Sequence, residues 1–373
     1  MYLSDPYLLS FNLIIVTSVS MLVFLYAFKN VFDAKRNLGD FLVLLFFVFV
    51  LILFRTRGWD VEQYYNAYDS IDREILDLDS WFEPGFLFFN FIFKYIGAPY
   101  FLFNAAMSFI LTMLIFFATK DNVRNAYIFL FLFFLFYFFR GPYGQVRQAI
   151  SILAFMISVK YLLPEKRNLL KYFLINAIAF TFHSVSIVSF IVPLVSYVWV
   201  GRRVIYWLCL LFIITIFSLM MFSSNIGAVL SYVGDIPYLK KMYIYVTNYS
   251  ASGNVFNPDT TRIMFCFLVL IFAPESFYDK ESPFARVNNL HRVIFILGAF
   301  LYALLSFDFR MASRTASFLY IFDIFIYTNS IYFMRSSEKR ITLFSIVTVV
   351  GFIYLAYEFY MMGVGEIKYQ WGF

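Results

Sequence analysis

Twelve apolar runs of 14 to 22 residues, separated by polar connections, pattern the 373-residue chain from end to end. They lie at 7–28, 39–54, 99–118, 124–139, 147–163, 169–182, 185–200, 204–222, 261–275, 290–306, 313–334 and 341–362. Such runs suit the hydrocarbon core of a bilayer, where a helix satisfies its own backbone polar groups. The pattern therefore predicts an all-α, polytopic integral membrane protein of about 12 transmembrane helices. The first run lacks a basic start and a small-residue cleavage site and is expected to be retained as a span. Residues 169–200 are almost continuously apolar; dividing them at His183 keeps Arg202 and Arg203 with the other basic connections. Alternate connections then carry seventeen of the 29 basic residues, Lys35, Arg36, Lys166, Arg167, Arg202, Arg203 and Arg340 among them. Under the positive-inside rule these connections are cytoplasmic and both termini face outward.

Two connections on the outer side are long enough to have structure of their own. In residues 55–98, Val61, Tyr64, Tyr65, Tyr68, Ile71 and Ile75 recur at helical spacing, as in an amphipathic helix on the membrane surface. Pro84 then opens an apolar run, Gly85 to Ile96, too short to span and expected to be re-entrant or interfacial. Residues 223–260 are rich in Tyr, Ser, Asn and Gly and read as a flexible lid with tyrosines available to stack on sugars.

Composition narrows the class further. The chain is 62% hydrophobic, 23% aromatic and 14% charged, with a mean hydropathy of +0.77, so it cannot present a water-compatible surface. We expect a single membrane domain over 1–373, with any chemistry built from loops and helix ends. Cys209 and Cys266 lie inside apolar runs as packing residues, and no Cys/His metal cluster is present. Asp77-Leu78-Asp79 has a metal-holding spacing, but in a loop already crowded with acids it carries little. The net charge of +6 is spread over many loops and reports orientation rather than nucleic-acid binding. No cofactor is implied.

Four motifs bring cations to the outer side. They centre on Arg55 and Arg57, on Arg140-Gly-Pro-Tyr-Gly-Gln-Val-Arg147-Gln148, on Thr181-Phe182-His183-Ser184, and on Arg310-Met-Ala-Ser-Arg314. Fixed cations at one headgroup level suggest an anionic ligand there. Each motif also has a plain structural reading. Snorkelling explains Arg55 and Arg57, helix capping explains Asp60 and Glu83, and an interfacial hydrogen bond explains His183. The Arg140–Arg147 turn is more pointed, because Gly141, Pro142 and Gly144 force a tight turn that delivers Arg147 and Gln148 to a helix N-terminus. The macrodipole disfavours arginine there unless something negative neutralises it, and free turn amides would add to an anion cradle. Arg310 and Arg314 raise the same question one turn apart. Asp323 and Glu358, inside apolar runs, are expected to pair with tyrosine, asparagine or Arg262.

Arg57-Gly58-Trp59-Asp60 followed by Tyr64 and Tyr65, Glu83-Pro84-Gly85-Phe86, Arg147-Gln148-Ala149, Phe182-His183-Ser184 and the late arginine pair together resemble the EpsG-like group of Wzy-type polysaccharide polymerases. The motifs occur in that group's order from about residue 55 to 320. The resemblance implies a GT-C-like enzyme of the bacterial inner membrane that joins polyprenyl-pyrophosphate-linked oligosaccharides at the periplasmic or outer face. It also implies membrane lipids, a chain-length regulator and a flippase as partners. On that reading Arg147, Arg310 and Arg314 clamp the pyrophosphate without a metal, with Arg140 in reserve. Asp60 and His183 are the candidate bases, Asp60 preferred because the turn at Gly58 sets it beside Arg57. Glu83 positions the acceptor sugar, Arg55 and Arg57 hold the second lipid carrier, and Gln148 and Tyr143 join the acceptor or carrier side. The alternatives are a flippase for the same lipid, a single-sugar GT-C transferase with a polyprenyl-phosphate donor and a metal at Asp60, and a glycan acyltransferase using His183.

The charge asymmetry predicts topology. Single cysteines engineered into 55–83 and 223–260 should be labelled by impermeant reagent from outside, and one at position 202 should not; labelling at 202 would overturn the division at His183.

Overall fold

A computed structural model describes residues 6–32, 37–55, 60–71, 82–221, 257–281, 284–306 and 309–370. Among these residues the regular elements are all helical. They are α1 (Pro6–Phe32), α2 (Leu38–Leu53), α3 (Val61–Ser70), α4 (Pro84–Tyr95), α5 (Tyr100–Asn122), α6 (Ala126–Phe133), α7 (Val146–Ser158), α8 (Leu169–Phe182), α9 (Val192–Val195), α10 (Arg202–Met221), α11 (Pro258–Phe272), α12 (Ala285–Leu304), α13 (Phe309–Tyr320), α14 (Asp323–Phe333) and α15 (Ser337–Gln370). The connections supply their own N-caps. Side-chain oxygens of Asn37, Asn125, Asn168 and Asn257 accept from the first free amides of α2, α6, α8 and α11, groups that would otherwise go unpaired where water is scarce. Pro84 and Pro258 open α4 and α11 at the position where a missing N–H costs nothing.

Five helical stretches are long and apolar enough to cross a membrane: Ile15–Phe32, Tyr100–Asn122, Ala285–Leu304, Met311–Phe333 and Ser337–Tyr360. Shorter apolar helices lie at Leu38–Leu53, Ala126–Phe138, Leu169–Phe182 and Ser184–Val195. The protein is a multi-pass membrane protein. The break expected at His183 is present: the residue ends α8 in extended conformation, φ −155° and ψ 116°. The following apolar run departs from expectation, with a 3-10 helix over Ser184–Ile191 before the single turn of α9. Residues 124–139 end in a π-helical turn, Phe134–Phe138, and residues 313–334 break at Ile321 and Phe322. The expected amphipathic helix is present in part as α3, which ends at Ser70 with Ile71 extended and Ile75 outside the described residues, and the short apolar run forms α4. Most of the expected lid, residues 222–256, lies outside the described residues.

The chain divides into two compact units, residues 1–190 with 331–373 and residues 191–330. In the first, α1 packs on α2 and α6, α5 on α2 and α7, α7 on α8, and α4 on α5 and α8. α15 returns against α1 and the π-helical turn, where Gly351 admits Leu135; an added Cβ would stand 2.7 Å from its Cδ1. Buried polar side chains bond to neighbouring helices: Asn122 to the Met156 carbonyl at 3.1 Å and Ser151 to the Ala179 carbonyl at 2.7 Å.

In the second unit α12 packs on α10 and α13, and α10 on α11. Its buried charges are neutralised or solvated by protein. Arg262 forms a two-pronged pair with Asp323, 2.6 Å through Nε and 2.8 Å through Nη2, one of the partners expected for that aspartate. Arg292 donates to the Phe277 carbonyl at 3.1 Å and to Asn289 Oδ1 at 3.2 Å, beneath the rings of Tyr278 and Trp199. Gly298 lets α12 touch backbone: a Cβ there would lie 2.8 Å from the Leu319 carbonyl carbon and closer still to the Tyr320 amide nitrogen. Backbone cannot rotate away as a side chain can. Gly298→Ala should therefore cost about 1–3 kcal/mol, seen as a lower thermal midpoint and a reduced yield of folded protein in detergent.

Candidate functional site

Three segments separated by tens of residues meet around Arg147 in the first unit. The residue stands on the first turn of α7, delivered there by the turn at residues 140–145. Its guanidinium forms an ion pair with Glu83 Oε2. The other carboxylate oxygen accepts from Ser184, at 3.3 Å from the amide and 3.5 Å from Oγ. The Glu-Pro-Gly, Arg-Gln and Phe-His-Ser motifs thus form one hydrogen-bonded cluster. Gly85 permits it, because α4 starts so close to the end of α8 that a Cβ would lie 2.8 Å from the Thr181 carbonyl oxygen and 2.9 Å from its Cβ.

The opposite side of the guanidinium faces α3. Tyr64 lies beneath it at 5.7 Å, with Phe82 at 4.6 Å and Phe86 at 5.6 Å completing an aromatic wall. The hydroxyl of Tyr64, whose ring Arg147 faces, donates to Asp60 Oδ2 at 3.1 Å. Burial, and then the nearby Asp60 charge, push the Tyr64 phenol well above its usual range, so it keeps the proton it donates. Asp60 with Tyr64, and Arg147 with Glu83 and Ser184, thus form two bonded sets that meet where Arg147 faces the Tyr64 ring. Asp60 and Glu83 occupy the N-cap positions of α3 and α4, yet neither side chain makes a cap bond; the capping explanation of these two residues does not hold.

The remaining candidates take other places. Arg55 is 7% exposed and braces the fold, donating to the Pro142 carbonyl at 3.0 Å and to Asn104 Oδ1 at 2.9 Å. Tyr143 is buried against Phe138 and Phe139, and Gln148 is also buried. Arg140 lies 3.7 Å from Glu358 of α15, so its charge is matched inside the bundle. Part of the turn's amide supply is used internally. The amides of Gly141, Tyr143 and Gln145 donate to the carbonyls of Tyr137, Phe138 and Gly141. His183 Nδ1 accepts from the Val185 amide at 3.3 Å, which puts the proton of the neutral ring on Nε2. In the second unit Arg314 is exposed on α13, and the preceding Ser313 donates to the buried Asp259 at the start of α11. Arg57, Asp77, Asp79 and the side chain of Arg310 lie outside the described residues.

With this geometry in place, the model of the EpsG family matches residues 40–371. The chain belongs to the EpsG family. No curated protein and no solved structure matches it. Membership of the EpsG family points to a Wzy-like polymerase in exopolysaccharide or O-antigen synthesis. The matched region contains all of the Arg147 cluster. Tyr64 figured in the sequence as part of an amphipathic face and of the family motif, with no chemical role of its own. Its signal was the i, i+4 spacing from Asp60, which puts two polar side chains on one face of the first turn.

Arg55 and Arg147 should respond differently to substitution. Arg55→Gln removes a charge and donors from a buried site and leaves Asn104 without its partner, so it should lower stability by about 2–4 kcal/mol in detergent unfolding. Arg147→Lys, at a partly open site, should change the midpoint little.

Proposed function

We propose that this EpsG protein is a GT-C-like polysaccharide polymerase of the bacterial inner membrane. It moves the growing glycan from its polyprenyl pyrophosphate to a sugar hydroxyl of a second lipid-linked repeat unit at the outer face. The observation that supports this best is the convergence on Arg147 of three motifs characteristic of the resemblance, with Asp60 bonded to Tyr64, whose ring Arg147 faces. In the reaction the bond from the anomeric carbon to the pyrophosphate oxygen breaks and negative charge grows on the leaving group. A guanidinium held in place by an aromatic wall stabilises that charge without first having to reorganise. The new glycosidic bond forms to the acceptor oxygen, whose proton passes to Asp60, a partly exposed carboxylate held by the Tyr64 hydroxyl. His183, with Nε2 protonated, orients a sugar oxygen as a donor. Arg310 and Arg314 are assigned to the same ligand class on the helix-end argument alone.

The test is a purified assay with lipid-linked repeat units resolved by product length. Arg147→Lys should lose about 10²-fold or more in rate with expression intact, since a point charge cannot reproduce two parallel guanidinium bonds to phosphate. Asp60→Asn should lose about 10²–10⁴-fold while still binding substrate. With a carboxylate base of reference pKa about 3.9, the wild-type rate should hold down to about pH 5; a fall near pH 6.5 would return the role to His183. Unchanged rates in EDTA would separate the polymerase from a metal-dependent polyprenyl-phosphate sugar transferase. Full activity of Arg147→Lys would remove the pyrophosphate assignment.

A further inference from the structure

We infer that Glu83 is an internal counter-anion that sets a binding threshold at the site: its carboxylate occupies Arg147 until the pyrophosphate of the substrate displaces it. The inference rests on the proposed role of Arg147 as the pyrophosphate ligand, and it assigns Glu83 a function different from holding the acceptor sugar.

The geometry points this way at each step. Glu83 stands at the N-cap of α4 without capping it, so its side chain is directed to Arg147 and Ser184 instead of its own helix. The side chains of Arg147 and Glu83 are 15% and 17% exposed, so a ligand at the outer surface can reach the pair. The two carboxylate oxygens have separate partners. When Oε2 leaves Arg147, Oε1 still has the Ser184 amide and hydroxyl at 3.3 and 3.5 Å, contacts long enough to tighten around a turned carboxylate. The cation, in contrast, stays where it is, held against Phe82, Phe86 and Tyr64. One partner can exchange while the other remains fixed.

The consequence is a threshold for binding. An arginine at headgroup level is surrounded by lipid phosphodiesters, each carrying one negative charge, and an uncovered guanidinium would be filled by them. Covered by Glu83, it gains nothing from exchanging one singly charged anion for another. A pyrophosphate brings more charge and further oxygens to the same fork, and so can offset the displacement. Glu83 thereby keeps abundant lipids off the site without moving it.

The experiment uses the full chain in nanodiscs of zwitterionic lipid, with farnesyl diphosphate and farnesyl monophosphate as probes and binding as the readout. Glu83→Gln should bind both probes tighter by a similar factor of about fivefold or more, because the same displacement step is removed for each. Adding phosphatidylglycerol to the discs should weaken probe binding in Glu83→Gln and leave the wild type nearly unchanged. Arg147→Gln should bind weakly whether residue 83 is Glu or Gln. Affinity in Glu83→Gln equal to or below wild type, with Arg147→Gln weak, overturns the counter-anion and leaves the Arg147 reading standing. So does a gain confined to the diphosphate, a gain that persists in the double variant, or equal lipid competition in wild type and Glu83→Gln. Wild-type affinity in Arg147→Gln overturns the Arg147 reading itself. Glu83→Ala serves as the second variant if the glutamine form has a lowered thermal midpoint.

Discussion

A guanidinium on the first turn of a helix, at the edge of an apolar bundle, has to find a negative partner, and the first unit is arranged around the one it finds. Arg147 is on the unfavourable end of the α7 macrodipole, so the Glu83 carboxylate offsets both its charge and its position. Meeting that requirement brings the start of α4 onto the end of α8, since Glu83 also bonds Ser184. The approach is closer than a side chain at residue 85 would allow, which explains the glycine in Glu83-Pro84-Gly85. The short helix α4 is thus tied down by its first residues rather than by its length. The rings of Phe82 and Phe86 close over the cation from the remaining side.

The same rule organises the second unit with different partners. Arg262 lies inside an apolar helix and is matched by Asp323, at the break between α13 and α14, where a carboxylate can reach it through two bonds. Arg292, fully buried, is held by a carbonyl and an amide oxygen and lies under aromatic rings, so protein dipoles and ring faces replace the water it has lost. Arg55 follows this second pattern in the first unit. These arginines are spent on the fold. Arg147 differs in that its partner is a side chain with a second anchor and both are reachable from outside, which makes the pair suited to exchange with a ligand.

Much of the fold was legible in the chain. Apolar runs marked the helices to within a few residues, as with α2, predicted at 39–54 and found at Leu38–Leu53. The placing of Arg202 and Arg203 required a break at His183, and the backbone turns extended there. The run after it was misjudged as an ordinary helix because hydrophobicity says nothing about whether a segment closes 13-atom or tighter hydrogen-bonded rings. The site was legible in part. Asp60, Glu83 and Arg147 were singled out by residue type and helix position. What escaped was who holds whom: the caps that would explain Asp60 and Glu83 are not made, and Arg140 and Arg55, also offered as ligand-binding residues, are engaged elsewhere.

The sequence by itself determined that this chain lives in a bilayer, because twelve apolar runs leave no water-soluble alternative. It also determined that the EpsG motifs lie at helix ends, because their polar residues fall at the edges of the apolar runs or between them. Tertiary structure alone decided which cations are matched internally. The energy of a charge in a low-dielectric bundle depends on the distance to its counter-charge and on its remaining access to water, and neither is a property of position along the chain.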